Sequence, residues 1–164
     1  MGAGSVISLT AIHDVSACSK ALALVGLVVL VTASASDLAT RSIPNRLVAA
    51  GALATLVVTL VACPSSVPDR VLGSLCCAGP LLAAALLKPD GMGMGDVKLA
   101  ALIGMLLGPP AGIFAMALAC AGGVLVGLFL LPCRGWSALR ASIPFGPFLA
   151  GGAALAWAFS DSLA

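Results

Sequence analysis

The chain has 164 residues, of which 61% are hydrophobic and 9% charged, and its mean hydropathy is +1.18. This composition excludes an ordinary soluble domain and predicts an all-α, polytopic membrane protein whose helices form a bundle. The net charge is only +2 and the basic residues form no patch, so nucleic acid is not an expected partner.

Six apolar segments follow one another along the chain, and we predict a transmembrane helix for each. The second and third have about 17 residues, near the lower limit for crossing a hydrocarbon core of roughly 30 Å. The fourth is the shortest because Pro109 and Pro110 end it. The segments are residues 21–36, 47–63, 71–87, 99–108, 111–131 and 144–159. They form one predicted domain, residues 20–160, after an N-terminal tail of residues 1–19.

The first segment also resembles a signal peptide, because Lys20 precedes the apolar run and Ala33-Ser34-Ala35 follows the pattern of a cleavage site. We favour a retained helix, since further spans follow it.

The distribution of lysine and arginine predicts the orientation of the helices. Loops one, three and five carry six basic residues and the opposite side carries two, so the three loops should face the cytoplasm. The six are Arg41, Arg46, Lys88, Lys98, Arg134 and Arg140, and the two are Lys20 and Arg70.

This orientation places Asp37, at the end of the first span, on the same side as Asp96, at the start of the fourth. Two carboxyl groups that share a proton can act as general base and general acid on a peptide bond, which is aspartic-protease chemistry and needs no metal or other cofactor. Simpler roles stay open: an ion pair of Asp37 with Arg41, or a first-turn acid at Asp96. A cation or proton transporter could use the same two acids.

Two further expectations concern these acids. The stretch from Asp96 to Gly108 rises only about 20 Å as a helix, so Asp96 should lie below the membrane surface unless this segment is re-entrant. Asp96 lies at a predicted helix N-terminus and Asp37 at a predicted C-terminus, so Asp96 should ionise more readily and Asp37 should hold the shared proton.

The six cysteines form no C-x-x-C pair, so we interpret them as small packing residues rather than as disulfides or metal ligands. His13 lies in the polar tail and is not expected to be a ligand.

Three stretches resemble the signatures of type IV prepilin peptidases. Residues 37–47, DLATRSIPNRL, resemble D-x-x-x-R/K-x-I-P-N-x-L, and residues 93–99, GMGDVKL, resemble G-x-G-D-x-K-L. Residues 143–149, IPFGPFL, resemble a third stretch of the family near its last span. The likeness covers essentially residues 20–160.

The resemblance implies a membrane-embedded aspartic endopeptidase of the G-x-G-D type, with Asp37 and Asp96 as the catalytic pair. Its substrates would be prepilin or pseudopilin precursors, cleaved on the cytoplasmic side of a bacterial inner membrane just before their hydrophobic segment. Other residues of the three stretches would shape the active site or contact the substrate. They are Pro44, Asn45, Gly93, Gly95, Lys98, Pro144, Gly146 and Pro147.

The chain also departs from longer members of this family, which carry a cysteine-paired insertion associated with methylation. No such insertion is present, so we expect no separate methyltransferase domain. The short form most resembles Tad/Flp-pilus prepilin peptidases, although archaeal preflagellin peptidases have a similar length. A catalytically inactive assembly factor with the same fold is a further alternative, and the oligomeric state is left open.

Overall fold

The computed structural model describes the backbone of residues 3–87, 93–134 and 145–163, and the side chains of residues 18–87, 93–129 and 145–159. The regular elements in these ranges are all helical, which confirms the predicted all-α bundle. The helices are α1 (Ala3–Thr40), α2 (Asn45–Ala62), α3 (Val67–Leu87), α4 (Met94–Leu107), α5 (Pro109–Arg134) and α6 (Gly146–Leu163). A short 3-10 turn, Pro64–Ser66, joins α2 to α3.

Four helical stretches are long and apolar enough to cross a membrane: Cys18–Thr40, Asn45–Ala62, Pro64–Leu87 and Pro109–Phe129. The apolar part of α6, Gly146–Phe159, is shorter, and α4 has only 14 residues. The described residues therefore contain six helices where six were predicted, and α4 is the shortest of them. The first helix also extends through most of the predicted tail.

The start of α4 and the start of α5 differ from the predicted boundaries. Helix α4 begins earlier than predicted, and the two prolines that were expected only to end α4 also begin α5. The extended backbone of Gly93 (φ −72°, ψ 137°) lets α4 begin at Met94, so Asp96 lies within its first turn. Pro109 and Pro110 occupy the first turn of α5, where a missing backbone N–H costs no helical hydrogen bond.

Helix α4 lies at the centre of the bundle and contacts each of the other five helices. Its residues Leu99, Ala100, Leu102 and Ile103 are at most 1% exposed, so protein rather than lipid surrounds it. At about 1.5 Å per residue it is roughly 21 Å long, shorter than a hydrocarbon core.

Three helices meet almost backbone to backbone at Gly104 of α4. A Cβ at Gly104 would come within 3.0 Å of the backbone of Gly73 in α3. A Cβ at Gly112 of α5 would lie 3.2 Å from the Cα of Gly104. Small residues therefore allow the close packing that apolar helices need inside a membrane.

The C-terminal end of α4 is covered by Arg70 of α3. Its Nη1 atom donates to the carbonyl oxygens of Met105 (3.1 Å) and Leu106, and its Nε atom donates to Ser66 Oγ (3.2 Å). These carbonyls have no partner within the helix, and the guanidinium satisfies them away from bulk water. Gly108, with a left-handed φ of 80°, then turns the chain directly into α5.

A disulfide joins Cys18 of α1 to Cys63, the residue that follows α2. The interpretation of these two cysteines as simple packing residues is therefore wrong. Their Cα atoms are 6.4 Å apart although 45 positions separate them in the chain, a proximity that depends on the packing of α1 against α2. Cys76, Cys77 and Cys120 are free thiols.

Candidate active site

Asp37 lies three residues before the end of α1 and is only 6% exposed. Its Oδ2 atom accepts a hydrogen bond of 2.8 Å from the backbone N–H of Gly146, the first residue of α6. The N–H groups of a first helical turn have no partner within the helix, and a carboxylate satisfies one of them here. The structure thus joins two positions 109 residues apart in the chain.

Two aromatic residues hold the start of α6 in this position. A Cβ at Gly122 of α5 would lie 3.1 Å from Phe148 Cδ1, and one at Gly123 would lie 3.4 Å from Phe145 Cε2. Glycines at positions 122 and 123 therefore let the two aromatic rings pack closely against α5. Gly151 of α6, by contrast, has open space around it.

The loop between α1 and α2 lies within the first signature, residues 37–47, and it contacts the first turn of α4. Arg41 ends α1 in the left-handed conformation (φ 51°), which reverses the chain after Asp37. Ile43 is then only 8% exposed, and a Cβ at Gly95 would lie 3.2 Å from the Cβ of Ile43. The absence of a side chain at Gly95 therefore lets the first turn of α4 approach the loop that follows Asp37.

A side-chain hydrogen bond also joins the first signature, residues 37–47, to the second, residues 93–99. Lys98 Nζ donates to Asn45 Oδ1 at 2.9 Å, and both residues are exposed. Pro44 precedes α2 with an extended backbone (φ −62°, ψ 122°) and so sets the direction from which Asn45 enters the helix. Lys98 of the second signature thus has a defined partner in the first signature.

Asp96 completes the site from the first turn of α4. Its backbone N–H donates to the carbonyl of Gly93 at 3.1 Å, and its side chain is half-buried. The carboxyl groups of Asp96 and Asp37 are close enough for the charge of one to act on the other. Helix packing thus places the two acids within electrostatic range of each other, and their action as one catalytic pair stays a prediction.

The proposed asymmetry between the two acids had a wrong premise. Asp96 lies at the N-terminus of α4, as expected, but Asp37 also faces a helix N-terminus, that of α6. The dipole argument therefore no longer distinguishes them. Because Oδ2 of Asp37 accepts from Gly146, a proton shared by the pair would lie on Oδ1 of Asp37 or on Asp96.

Two more of the residues singled out in the sequence lie beside the two acids: Gly93 precedes the turn that holds Asp96, and Pro147 follows Gly146. Gly93 is exposed at the start of α4, and Pro147 is half-buried in the first turn of α6. Pro144 lies outside the described residues. Sequence reasoning assigned Gly146 to a cavity wall and missed the bond of its amide to Asp37.

A cavity of about 390 Å³ lies beside the Asn45–Lys98 pair, among α2, α3 and α4. Val48, Ala52, Leu102 and Met105 give it apolar walls, and Ser74 adds a hydroxyl group. Among the described residues there is no group of three or more histidine, cysteine or acidic side chains that could hold a metal ion.

Fold and site together define a helical, multi-pass membrane protein with two carboxyl groups within electrostatic range of each other at one end of its bundle. The Type IV leader peptidase family matches residues 24–128 of the sequence, a range that includes both acids. The chain belongs to this family of peptidases, as the resemblance of its motifs indicated. Gly146 lies beyond the matched range.

Two similar proteins come from Burkholderia pseudomallei, strains 1026b and K96243, and each is a prepilin leader peptidase/N-methyltransferase. Each is 35% identical to this chain over 142 residues, which make up 82% of this chain and 45% of the relative. The chain therefore spans less than half the length of these relatives. No solved structure matches it significantly.

Proposed function

We propose that this protein is a membrane-embedded aspartic endopeptidase that removes the leader peptide from type IV prepilins of the Flp type, or from pseudopilins. The observation that carries the proposal is the convergence of Asp37 and Asp96 at one end of the bundle. Membership of the leader peptidase family supports the same reaction.

In the proposed mechanism a water molecule lies between the two carboxyl groups and the peptide bond. The ionised carboxylate removes a proton from this water, which then attacks the carbonyl carbon of the peptide bond. The protonated carboxyl group donates a hydrogen bond to the carbonyl oxygen as negative charge develops there. When the tetrahedral intermediate collapses, the C–N bond breaks and the departing nitrogen takes the proton that the first carboxylate removed from water, so the products are a carboxylic acid and an amine and the pair returns to its starting state. Gly146 orients Asp37 through its N–H group, and the Ile43–Gly95 and Asn45–Lys98 contacts hold the two acid-bearing elements together.

We propose further that the site faces the cytoplasm. Arg41, Arg46 and Lys98 lie at the same end of the bundle as the two acids, as expected for a cytoplasmic side. The disulfide between Cys18 and Cys63 lies at the opposite end, and disulfides persist in oxidising compartments such as the bacterial periplasm. Charge and redox chemistry thus favour the same orientation.

The test is processing of a Flp-type prepilin reconstituted with the purified protein in phospholipid vesicles. The wild type should convert the precursor to a faster-migrating product on a gel, and both Asp37→Asn and Asp96→Asn should abolish the conversion. Asp69→Asn is the control, because Asp69 is an exposed acid in the first turn of α3. Processing by both site variants would refute the protease and leave proton or cation transport to be measured in the same vesicles.

A further inference from the structure

A second, larger cavity lies along the outside of α1 and α6. It is an apolar groove of about 650 Å³, lined from Lys20 to Ser34 on α1 and from Ala150 to Trp157 on α6. All of its lining residues belong to these two helices, so within the described residues its open side faces the bilayer rather than another helix.

The groove leads directly to the candidate catalytic pair. Ser34 lies one helical turn before Asp37, and Ala150 lies one turn after Gly146. Because Asp37 and Gly146 are hydrogen-bonded, the groove begins next to the carboxyl group. From Ser34 to Lys20 it extends roughly 20 Å along α1, a large part of the membrane thickness.

The walls of the groove suit a helix better than a lipid chain. Ala150 and Ala154 on α6, and Ala23 on α1, are small and at least partly exposed, so they allow the backbone of another helix to approach closely. The two ends also carry opposite charges, with Asp37 at one end and Lys20 at the other. A helix whose N-terminus lies at Asp37 would present each end of its dipole to the complementary charge.

We propose that this groove binds the apolar transmembrane helix of the substrate, with the N-terminus of that helix beside Asp37. The inference rests on the proposed function and specifies how the substrate is recognised. The substrate enters sideways from the bilayer, its helix packs between α1 and α6, and the peptide bond just before the helix lies at the two acids. If only lipid is found in the groove, the proposal that it binds the substrate helix is wrong.

The first test places a photo-crosslinking amino acid in the groove. Leu27 lines it and is 62% exposed, whereas Leu125 on α5 lies outside it and is 66% exposed, so the two positions are matched in accessibility. In the Asp96→Asn variant, which should retain uncleaved prepilin, the probe at Leu27 should crosslink to the apolar segment of the precursor at least tenfold more than the probe at Leu125. Crosslinking of Leu27 to lipid alone would overturn the proposal.

The second test narrows the groove without touching the acids. Ala154 and Ala117 are both exposed alanines, but only Ala154 lines the groove. Ala154→Leu should lower the rate of cleavage of full-length prepilin by about tenfold relative to Ala117→Leu, because the larger side chain displaces the substrate helix. A peptide that spans the cleavage site but lacks the apolar helix should be cleaved equally by both variants.

These measurements separate the two proposals. If the wild type cleaves neither substrate, the proposed function is wrong. If the wild type cleaves both and Ala154→Leu cleaves full-length prepilin as fast as Ala117→Leu, the protease stands and the groove proposal is wrong. Slower cleavage of the short peptide by Ala154→Leu would also contradict it, because the effect would then be on the active site.

Discussion

Gly146 has no room for a side chain beside Asp37. A Cβ there would lie 2.8 Å from Oδ2 of Asp37, a separation that real Cβ atoms essentially never show, and 3.2 Å from Cγ, which is tighter than most such contacts. The present position of the carboxyl group therefore requires a residue with no side chain, and a proline at this position could not donate the N–H.

We therefore expect Gly146→Ala to reduce prepilin cleavage at least tenfold, because overpacking by one methyl group costs about 1–3 kcal/mol or displaces Asp37. Gly151→Ala, in the same helix, is the control, since a Cβ there meets nothing within 4 Å. Initial rates of processing in vesicles measure both. Equal rates for the two variants would show that the position of Asp37 does not depend on Gly146.

The contact between Ile43 and Gly95 gives a second prediction at this scale. Gly95→Val should lower activity because the added side chain pushes α4 away from the loop after Asp37. Ile43→Ala in the same protein should restore part of the loss by making room. A double-mutant cycle on cleavage rates should give a coupling of about 1 kcal/mol, and additive effects would contradict direct contact.

At the residue scale, sequence reasoning identified both acids and most of their neighbours, because those residue types occur at the spacing of known signatures. It did not show that Ile43 contacts Gly95 or that Lys98 bonds to Asn45. Such pairings join different helices, and their register depends on packing that no local pattern contains. The amide of Gly146 was missed for a further reason, since a backbone donor leaves no mark in the sequence.

At the scale of elements, the C-terminal carbonyl groups of the short central helix α4 find their hydrogen-bond donor on the neighbouring helix α3. Arg70 of α3 donates to the last carbonyl groups of α4, and it is half-buried where it does so. The sequence showed Arg70 only as one of two basic residues on the non-cytoplasmic side. Only the fold shows that Arg70 also caps a helix whose last carbonyl groups lie 35 residues further along the chain.

We expect Arg70→Met to lower the free energy of unfolding by about 1–3 kcal/mol, because it leaves buried carbonyl groups without a partner. Arg46→Met is the matched control, since Arg46 is exposed on α2. Thermal unfolding in detergent, followed by circular dichroism, measures the difference. An unchanged unfolding temperature for Arg70→Met would mean that another group or water satisfies the end of α4.

At the scale of the whole molecule, the proposed active site lies at one end of the bundle and the disulfide lies at the other. Asp37 and Cys18 lie near opposite ends of the same membrane-spanning stretch, roughly 28 Å apart along α1. Composition correctly predicted the class of fold, whereas the orientation expected from loop charge stays a prediction. The disulfide was not predicted because its cysteines lack a recognisable spacing and meet only after α1 and α2 pack together.

Labelling with a maleimide polymer should therefore add two more labels after reduction of the denatured protein than before it, seen as a gel shift. The Cys18→Ser/Cys63→Ser variant should show no such difference. Because the disulfide lies far from the acids, reduction should leave the rate of cleavage within about twofold of its original value. Equal labelling before and after reduction in the wild type would show that the bond is absent.

The shortness of α4 has a consequence for how the protein is made. A stretch of 14 residues is too brief to partition into a bilayer by itself, so α4 must enter together with its longer neighbours α3 and α5, whose glycines meet Gly104. Asp96 is then expected to reach its place beside Asp37 only after the following helix has been synthesised and inserted. The proposed active site can therefore assemble no earlier than the insertion of α5.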